Sequence, residues 1–483
     1  MTPRATFPPQ PTAAAPARRR RARAQANAQA RQQAEARRVE GLPVVQAHAA
    51  GIDIGSRSHW ACAGDGLTQE FPAHTAGLHA LVAWLRQHHV TTVAMESTGV
   101  YWIPLYELLA AEGFEALLVD PSYTRQVKGR PKTDRLDCQW IYRLHSVGLL
   151  APAFRPDERT CQLRSYLRHR ANLVRHAGQH IQHMQKALEQ MNLKLTGALS
   201  DLTGLTGQQI IKAILRGVRD PRKLAKLRHG RCHASEADLI QALTGSYRDE
   251  HLFALRQAYQ AWQFGQQQLD QTDAQIEQHL GLLKQDRALP PLPVRAPRHG
   301  RKPNHLRFDV RTALYYVVGI DLTEIEGIGA LTALTVVSEI GPEVSKFPTV
   351  KHFCSWLGLC PQLKKTGGRV RSSRTRPGAN RAATALRLAA NSLHAQQGAL
   401  GAFLRRKKAQ LGAPKAVTAT AHKLARLVYL ALKHGLAYVK QSQADYEARV
   451  RAQQLQALKK KARHLGVDIV DRAAAAAGAT AQE

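Results

Sequence analysis

The spacing of hydrophobic and polar positions changes along the chain, and each change marks a segment with its own predicted structure. From about residue 48 to about residue 150, short apolar runs alternate with amphipathic stretches. The apolar runs have the length and composition of strands, and the stretch that starts at Thr75 has the spacing of a helix. The predicted order is three strands, helix, strand, helix, strand and helix.

This order defines the predicted fold class of residues 43–155. The three opening strands are joined by short connections and would form an antiparallel meander, whereas each later strand follows a helix. We therefore predict an α/β domain of the RNase H-like (RuvC-like) type.

Residues 156–290 follow a helical period instead. Apolar residues recur at alternating spacings of three and four in two long stretches, interrupted by Arg170 in the first and by Gln266 and Asp273 in the second. This spacing predicts two long helices in an antiparallel or intermolecular coiled coil, with a less regular helical stretch between them. We expect this region to serve in oligomerisation.

The other segments flank these two regions. Residues 1–42 are rich in Ala, Pro, Gln and Arg, which predicts a disordered basic arm that contacts nucleic acid or serves as a solubilising tail. Residues 291–308 form a Pro-rich basic linker. Residues 309–440 are expected to form a mostly α C-terminal domain, and residues 441–483 a polar tail.

Two glycines interrupt the first apolar stretches of the C-terminal domain. Gly327 and Gly329 separate two short predicted helices, which is typical of a helix-hairpin-helix-like element. Glycines at such a turn let the backbone come close to a phosphate. A plain tight turn between helices is the alternative.

The chain is strongly basic. It has 69 Lys and Arg against 36 Asp and Glu, and its net charge is +33. Such a surface repels itself unless something anionic shares it. Nucleic acid is the best candidate, because each neutralised phosphate releases counterions. Composition alone leaves open a merely basic protein in which Arg and Ala are common.

The cysteines and the apolar segments bear on the compartment. The six cysteines form no CxxC pair, which favours a reducing environment. No stretch approaches the apolar length of a membrane span, and the basic N-terminus lacks the apolar segment of a secretory signal. We expect a cytoplasmic, nucleoid-associated protein with no membrane partner.

Four acidic residues stand out in the first domain. Asp53 lies within the apolar first strand, where a carboxylate is costly unless it is paired or bound to a metal. Glu96 ends the fourth strand, which neighbours the first strand in this fold. Asp134 and Asp137 are three residues apart and share one face of a helix. Each acid alone could be a surface or capping residue, but the strand order brings the four together.

Four converging carboxylates repel one another unless a divalent cation lies between them. Mg²⁺ accepts oxygen ligands and keeps waters that substrate phosphates can replace. Two such ions, about 3.5–4 Å apart, would hold the entering and leaving oxygens of a phosphoryl transfer. We predict that the acids bind Mg²⁺ or Mn²⁺.

Several segments resemble a known family of recombinases. In the first domain these are GIDIGSRSHW, AMESTGVYWIPLYELL and the segment from Val119 to Leu150, which resemble the RuvC-like domain of DEDD-type insertion-sequence transposases. That family includes the Piv-type invertases. The resemblance continues through IEGIGALTALTVVSEIG and TGGRVRSSRTRPGANRAATALRLAANSL, and covers roughly residues 48–150 and 320–437.

The resemblance implies an activity, partners and a second catalytic group. Members excise and insert mobile DNA elements, and some are guided by a bridge RNA that pairs with donor and target DNA. They act as oligomers, which implies a dimer or tetramer here, with sites shared between the RuvC-like domain of one subunit and the C-terminal domain of another. That C-terminal domain supplies a serine that becomes covalently linked to DNA.

The position that matches this serine holds a threonine. The family serine follows a Gly-Leu-x-Pro segment, which here is residues 358–361, and precedes glycine. The matching residue is Thr366, followed by Gly367 and Gly368. Threonine has the same hydroxyl group, but its methyl group crowds the attack. Ser372 and Ser373 are the alternative nucleophiles, and Thr366 could also serve only in a turn.

Basic residues accompany both candidate sites. We expect contacts to nucleic-acid phosphates from the glycine pair and from the basic residues that follow it or precede Asp134, where a solvated basic face is the alternative. These residues are Lys128, Arg130, Lys132, Gly367, Gly368, Arg369, Arg371, Arg374, Arg376 and Arg381.

The leading hypothesis is a DNA transposase or site-specific recombinase, and there are two alternative hypotheses. One is a metal-dependent nuclease resembling a Holliday-junction resolvase, in which water attacks the phosphate. The other is a nucleic-acid-binding derivative without catalysis. A covalent protein–DNA adduct separates the first two, and loss of all chemistry would indicate the third.

Overall fold

The computed structural model describes residues 41–64, 66–97, 99–124, 133–285, 288–294, 304–378 and 380–467. The chain divides into two compact units, one that ends at Arg155 and one that begins at Pro156. Nearly all of the predicted basic arm, half of the linker and the end of the tail lie outside the described residues.

A mixed five-stranded sheet forms the centre of the first unit. Its strands lie in the order β3-β2-β1-β4-β5, in which β1, β2 and β3 are antiparallel neighbours and β1, β4 and β5 run parallel. The strands are β1 (Ala49–Ile54), β2 (Ser58–Ala63), β3 (Leu67–Pro72), β4 (Thr92–Glu96) and β5 (Glu115–Val119). The predicted meander is confirmed, and the sheet with its flanking helices fits an RNase H-like fold.

Helices cover both faces of this sheet. Ile52 of β1 is fully buried on the face that packs against α1 (Thr75–Gln87) and α2 (Trp102–Ala111). On the other face, Ala94 and Val119 pack against Ile141. Ile141 belongs to α4 (Asp134–Ser146), which follows the short α3 (Pro121–Thr124). The alternation of side chains along each strand therefore gives the sheet two cores.

Two long helices begin the second unit. The helices α5 (Glu158–Gln190) and α10 (Asp249–Leu282) pack against each other in antiparallel directions, because Tyr166 meets His279 while Arg170 meets Asp273. Four shorter helices lie between them in the chain: α6 (Leu195–Ala198), α7 (Leu205–Leu215), α8 (Pro221–Ala225) and α9 (Glu236–Ala242). The long helices confirm the predicted elements, whereas coiled-coil geometry and a role in oligomerisation stay predictions.

Two of the three interruptions of the apolar pattern, Arg170 and Asp273, pair with each other. Arg170 and Asp273 are both buried, and the guanidinium donates hydrogen bonds to both carboxylate oxygens. Arg170 also donates to the carbonyl of Asn304 at 3.2 Å, and the backbone N–H of Arg307 donates to Asp273 at 3.0 Å. The pair therefore ties both long helices to the chain that enters the C-terminal region.

The C-terminal region is mostly helical, as predicted. Its helices are α11 (Val310–Val318), α12 (Ala330–Ile340), α13 (Val350–Trp356), α14 (Arg381–Ser392), α15 (Ala399–Leu411), α16 (Ala413–His434) and α17 (Leu436–His464). A two-stranded hairpin, β6 (Lys364–Thr366) and β7 (Arg369–Ser372), lies between α13 and α14 and was not predicted. Gly327 has a left-handed backbone and follows a 3-10 turn, so the helix-hairpin-helix assignment remains a prediction.

No helix within the described ranges is long and apolar enough to cross a bilayer.

Replacing Arg170 with Ala would leave the buried Asp273 carboxylate without its guanidinium partner. We expect the free energy of unfolding of the second unit to fall by about 3–5 kcal/mol, measured by urea denaturation followed by circular dichroism. The double variant Arg170→Leu/Asp273→Leu removes both charges and should recover most of that loss.

The matched control breaks an exposed ion pair whose acid, Asp270, lies on the same helix as Asp273. Arg307 and Asp270 are partly exposed, so Arg307→Ala should cost no more than about 1 kcal/mol. Equal losses for Arg170→Ala and Arg307→Ala would contradict this account of the buried pair.

Candidate active site

Two of the four acids lie at the carboxyl ends of neighbouring parallel strands. Ile52 of β1 is paired with Met95 of β4, so the next residues, Asp53 and Glu96, lie side by side at one edge of the sheet. Side chains alternate along a strand, so Asp53 shares its face with Gly51. Both acids therefore lie on the face that α4 covers.

Gly51 lets α4 lie directly on β1. A Cβ atom at this position would be 2.1 Å from the backbone nitrogen of Tyr142 and 2.6 Å from the carbonyl oxygen of Cys138. No side chain fits in that space without moving the helix. The close approach brings the first turn of α4 to the same edge as Asp53.

That first turn carries the other two acids. Thr133 caps the helix by accepting a hydrogen bond from the N–H of Leu136 at 3.3 Å. Asp134 and Asp137 follow in the first turn, where the helix dipole favours negative charge. The dipole and the cap together keep these carboxylates at the end of the helix.

The carboxylates act on one another. Burial, and after it the negative charges of Asp137, Asp134 and Glu96 in that order of effect, together raise the pKa of Asp53 to about 6. Asp134 is exposed, whereas the other three acids are half-buried. The structure thus places all four acids within electrostatic reach of one another, without close contact, at an edge that is partly open to solvent.

Polar residues of α3 and α4 support this edge. The Thr124 hydroxyl donates to Glu96 Oε2 at 3.0 Å, and the Thr124 carbonyl accepts from Trp140 Nε1 at 3.3 Å. Asp120 directly follows β5, at the same edge of the sheet. Sequence reasoning did not single out Thr124 or Asp120. Their signal was the position just after a buried strand, where parallel strands place functional residues.

The floor of the site is apolar and uncharged. Cys62 of β2 and Cys138 of α4 are fully buried next to Asp53. A hydrogen bond with Cys62 and burial raise the pKa of the Cys138 thiol, with a smaller effect of the Asp53 charge. A neutral thiol is a poor metal ligand, so oxygen atoms are the ligands this site offers.

The donor set fits a hard divalent cation. Carboxylate oxygens are the ligands that Mg²⁺ and Mn²⁺ prefer, and mutual repulsion opposes their convergence without a cation. As placed in the described part of the chain, no three acidic, histidine or cysteine side chains form a complete metal-binding group. An incoming cation would therefore have to draw the carboxylates together.

The basic residues predicted ahead of Asp134 cannot be placed. Lys128, Arg130 and Lys132 lie outside the described residues.

The predicted nucleophile lies at the turn of the β6–β7 hairpin. Thr366 is paired with Arg369 across Gly367 and Gly368, whose φ angles are 56° and 74°. Positive φ at both central residues defines the tight turn that matches the twist of a hairpin, and it favours glycine. Thr366 is exposed, and no atom lies within 4 Å of where a Cβ of either glycine would be. The turn therefore presents Thr366 and bare backbone to solvent.

The two alternative serines lie at the base of the hairpin. Ser372 is half-buried, and its hydroxyl accepts a hydrogen bond from the N–H of Arg374 at 3.3 Å. Ser373 is exposed and follows the strand. The carbonyl of Arg374 accepts from the N–H of Gln362 at 2.9 Å, which closes the base. Thr366 is thus the hydroxyl residue at the tip, and the serines lie where the strands end.

Positive charge dominates this part of the chain. From Val344 to Ala444 the sequence contains 19 Lys and Arg and neither Asp nor Glu. The predicted contact residues Arg369, Arg371, Arg374, Arg376 and Arg381 are all exposed. A segment of this length without acids has no internal partners for its charge, which favours phosphate binding over a mixed solvated surface.

An RNase H-like sheet that carries the four acids, and a segment of residues 344–444 with 19 basic residues and no acid, are features expected of a DNA-processing enzyme. Two family models match the chain: the DEDD transposase model of the IS110 group covers residues 50–193, and the model described as "Transposase IS116/IS110/IS902 family" covers residues 321–403. The chain belongs to the DEDD-type IS110 family of insertion-sequence transposases. No curated protein matches it.

The matches agree with the two conserved modules expected from the sequence and extend one of them. The first match continues beyond the RNase H-like unit through the whole of α5. Transposases act on DNA, and those of the DEDD type typically use divalent metals.

The raised pKa of Asp53 should make the metal-free protein less stable as the pH rises. The folded state holds the Asp53 proton more tightly, with a pKa of about 6 against 3.8 for the ordinary group. Ionisation therefore costs stability progressively above about pH 4, and this cost is complete above about pH 7. In EDTA at pH 8, the melting temperature of Asp53→Asn should be about 2–4 °C above that of wild type. At pH 4 the two proteins should melt at the same temperature.

The control for this measurement is Glu70→Gln, which removes an exposed acid of the same sheet. It should change the melting temperature equally at both pH values. A constant difference between Asp53→Asn and wild type across the pH range would show that the carboxylates do not destabilise one another.

Proposed function

We propose that this transposase excises and inserts a mobile DNA element by metal-assisted attack of the Thr366 hydroxyl on a DNA phosphate. The observation that carries the proposal is the mutual effect of four carboxylates at one open edge of the sheet. A cluster of like charges is costly, and its open position gives a substrate phosphate access.

The proposed ligands are Asp53, Glu96, Asp134 and Asp137, and the proposed ion is Mg²⁺ or Mn²⁺. Such an ion polarises a phosphate and neutralises the charge that develops as the phosphoryl group is transferred. The protein's own contribution is to fix the carboxylates. Register places Asp53 beside Glu96, the Gly51 contact places α4, and Thr124 orients Glu96.

Thr366 is the proposed nucleophile because of where the hairpin presents it. Its oxygen forms a bond to phosphorus, the bond from phosphorus to a sugar oxygen breaks, and that oxygen takes up a proton. The proton of the threonine hydroxyl is released to solvent. One phosphoester replaces another, so the step needs no ATP. The exposed turn of Gly367 and Gly368 leaves room for the DNA backbone despite the threonine methyl group.

The exposed arginines around the hairpin are proposed to bind the phosphates on either side of the cleaved one. Arg369, Arg371, Arg374, Arg376 and Arg381 offer charge-assisted hydrogen bonds to phosphate oxygens. Contacts of this kind fix the register of DNA on the protein but do not select a sequence. Target choice therefore needs another reader.

We propose a bridge RNA as that reader, with a homodimer or homotetramer of the chain acting near the nucleoid. This part of the proposal rests on the family resemblance and on the net charge of +33, which favours nucleic acid as a partner. Sequencing the RNA that co-purifies with the protein tests it. A single enriched RNA species supports guidance, whereas random cellular RNA would favour a site read by the protein itself.

Thr366→Ala should abolish the covalent protein–DNA adduct, because no other hydroxyl lies at the hairpin tip. The adduct is measured on denaturing gels with labelled DNA that carries the ends of the element. Thr366→Ser should retain it, since serine has the same hydroxyl without the crowding methyl group. The Ser372→Ala/Ser373→Ala double variant is the matched control and should also retain it.

Other outcomes identify other functions. An adduct that survives in Thr366→Ala but disappears in the double serine variant would move the nucleophile to the base of the hairpin. Cleaved DNA without an adduct would indicate a nuclease of the resolvase type, in which water attacks. Wild-type protein that binds DNA and is as inert as Asp53→Ala would indicate a binding protein without catalysis.

A further inference from the structure

The connection that follows Glu96 exposes two apolar residues beyond the carboxyl end of β4. Val100 is 65% exposed and Tyr101 is 52% exposed, in the connection from β4 to α2. Single exposed apolar side chains are common on protein surfaces. These two are adjacent in sequence and lie where the parallel strands end, which is where the four acids are also found.

The backbone of this loop is fixed at both of its ends. The N–H and the hydroxyl of Ser97 donate to the carbonyl of Val119 at 2.9 and 3.0 Å. Gly99 has a φ of 63°, and its carbonyl accepts a hydrogen bond from Trp102 Nε1 at 3.2 Å. A Cβ on Gly99 would be 3.6 Å from the ring of Tyr101, so the ring lies beside this glycine.

The next aromatic residue, Trp102, packs against other side chains of the first unit, whereas Tyr101 is exposed. Trp102 meets Tyr106 edge to face, with ring centroids 5.8 Å apart. The guanidinium of Arg155 lies 5.3 Å from the centre of the Trp102 ring and 4.5 Å from that of Tyr106. These contacts hold Trp102 and, through its hydrogen bond to Gly99, the loop. Tyr101 therefore lies between a hydrogen-bonded glycine and a packed tryptophan, with half of its surface open.

We propose that Tyr101, with Val100 beside it, forms a stacking site for a nucleobase next to the phosphate that reacts at the carboxylates. The location rests on the proposed function, whereas the stacking itself does not require chemistry. A nucleobase offers a flat apolar face that matches an exposed aromatic ring, and the binding does not depend on which base it is. Chemistry on a strand that must exchange partners needs bases that are unpaired near the phosphate, and a stacking site stabilises such a base.

The stacking site also agrees with the chemistry of its surroundings. An acidic edge attracts a phosphate only through cations, so it holds DNA weakly by itself. An uncharged contact close to the acids adds affinity without repelling the carboxylates. Removing one base–aromatic stack typically weakens binding roughly 5- to 150-fold.

The test is photo-crosslinking of full-length protein to single-stranded DNA. The probe is an oligothymidylate with 5-iodouracil at one position, bound in Ca²⁺, and crosslinked residues are mapped by mass spectrometry. We expect a crosslink at Tyr101 in wild type. Tyr101→Phe should retain a crosslink at this position, and Tyr101→Ala should lose it and bind the probe roughly 5- to 150-fold more weakly.

The matched control is Tyr438→Ala, which removes a tyrosine of similar exposure on α17. It should leave the Tyr101 crosslink and the affinity unchanged. A wild-type map without Tyr101, or unchanged affinity in Tyr101→Ala, overturns the inference. A Tyr101 that crosslinks to another protein and not to the DNA probe also overturns the inference.

The test separates this inference from the proposed function. Asp53→Ala should lose the adduct and keep the Tyr101 crosslink, because stacking precedes chemistry. A crosslink in a protein that never forms an adduct would leave the stacking site standing and contradict the recombinase proposal. If wild type shows no crosslink at Tyr101 and Tyr101→Ala forms the adduct at the wild-type rate, the recombinase proposal stands and the stacking site is contradicted.

Discussion

The burial of the Asp53 carboxylate among three other acids is the constraint on which the candidate site of the first unit depends. A strand register places Asp53 beside Glu96, and a glycine with no room for a side chain brings Asp134 and Asp137 to the same edge. Burial and charge together raise the pKa of Asp53 well above its ordinary value. A buried carboxylate of this kind lowers the stability of the fold, and in the proposed function a divalent cation would offset that cost. The same edge carries the support of Glu96 by Thr124 and the exposed loop with Tyr101.

In the second unit, the hydroxyl of Thr366 is exposed to solvent among basic side chains. A hairpin with two left-handed glycines places Thr366 at a tip that no side chain covers. Thr366 lies within residues 344–444, which contain 19 Lys and Arg and no Asp or Glu. In the same unit, the buried pair of Arg170 and Asp273 joins the long helices to the chain that leads into the C-terminal region. In the proposed function, the first unit supplies the carboxylates, and the second supplies the hydroxyl and the basic side chains.

Much of the first unit could be predicted from the sequence, because strand and helix periods are local properties. The order of its elements follows from them, Asp53 and Glu96 stand out as charges in apolar strands, and Asp134 and Asp137 share one helix face. The partnership of Arg170 and Asp273 could not be predicted, since each residue alone looks like a defect in its own helix. The β6–β7 hairpin was missed because its strands are short, basic and exposed, with no apolar alternation. Thr124 was missed because its role depends on tertiary contact with Glu96.

The central claim is that the carboxyl edge of the sheet is a divalent-cation site. The most direct measurement is the anomalous diffraction of Mn²⁺ in crystals of the wild-type protein and of Asp53→Asn. We expect at least one Mn²⁺ peak among Asp53, Glu96 and the first turn of α4 in wild type, and none there in Asp53→Asn. A wild-type map without a peak at this edge at saturating Mn²⁺, or a peak that persists unchanged in Asp53→Asn, would contradict the claim.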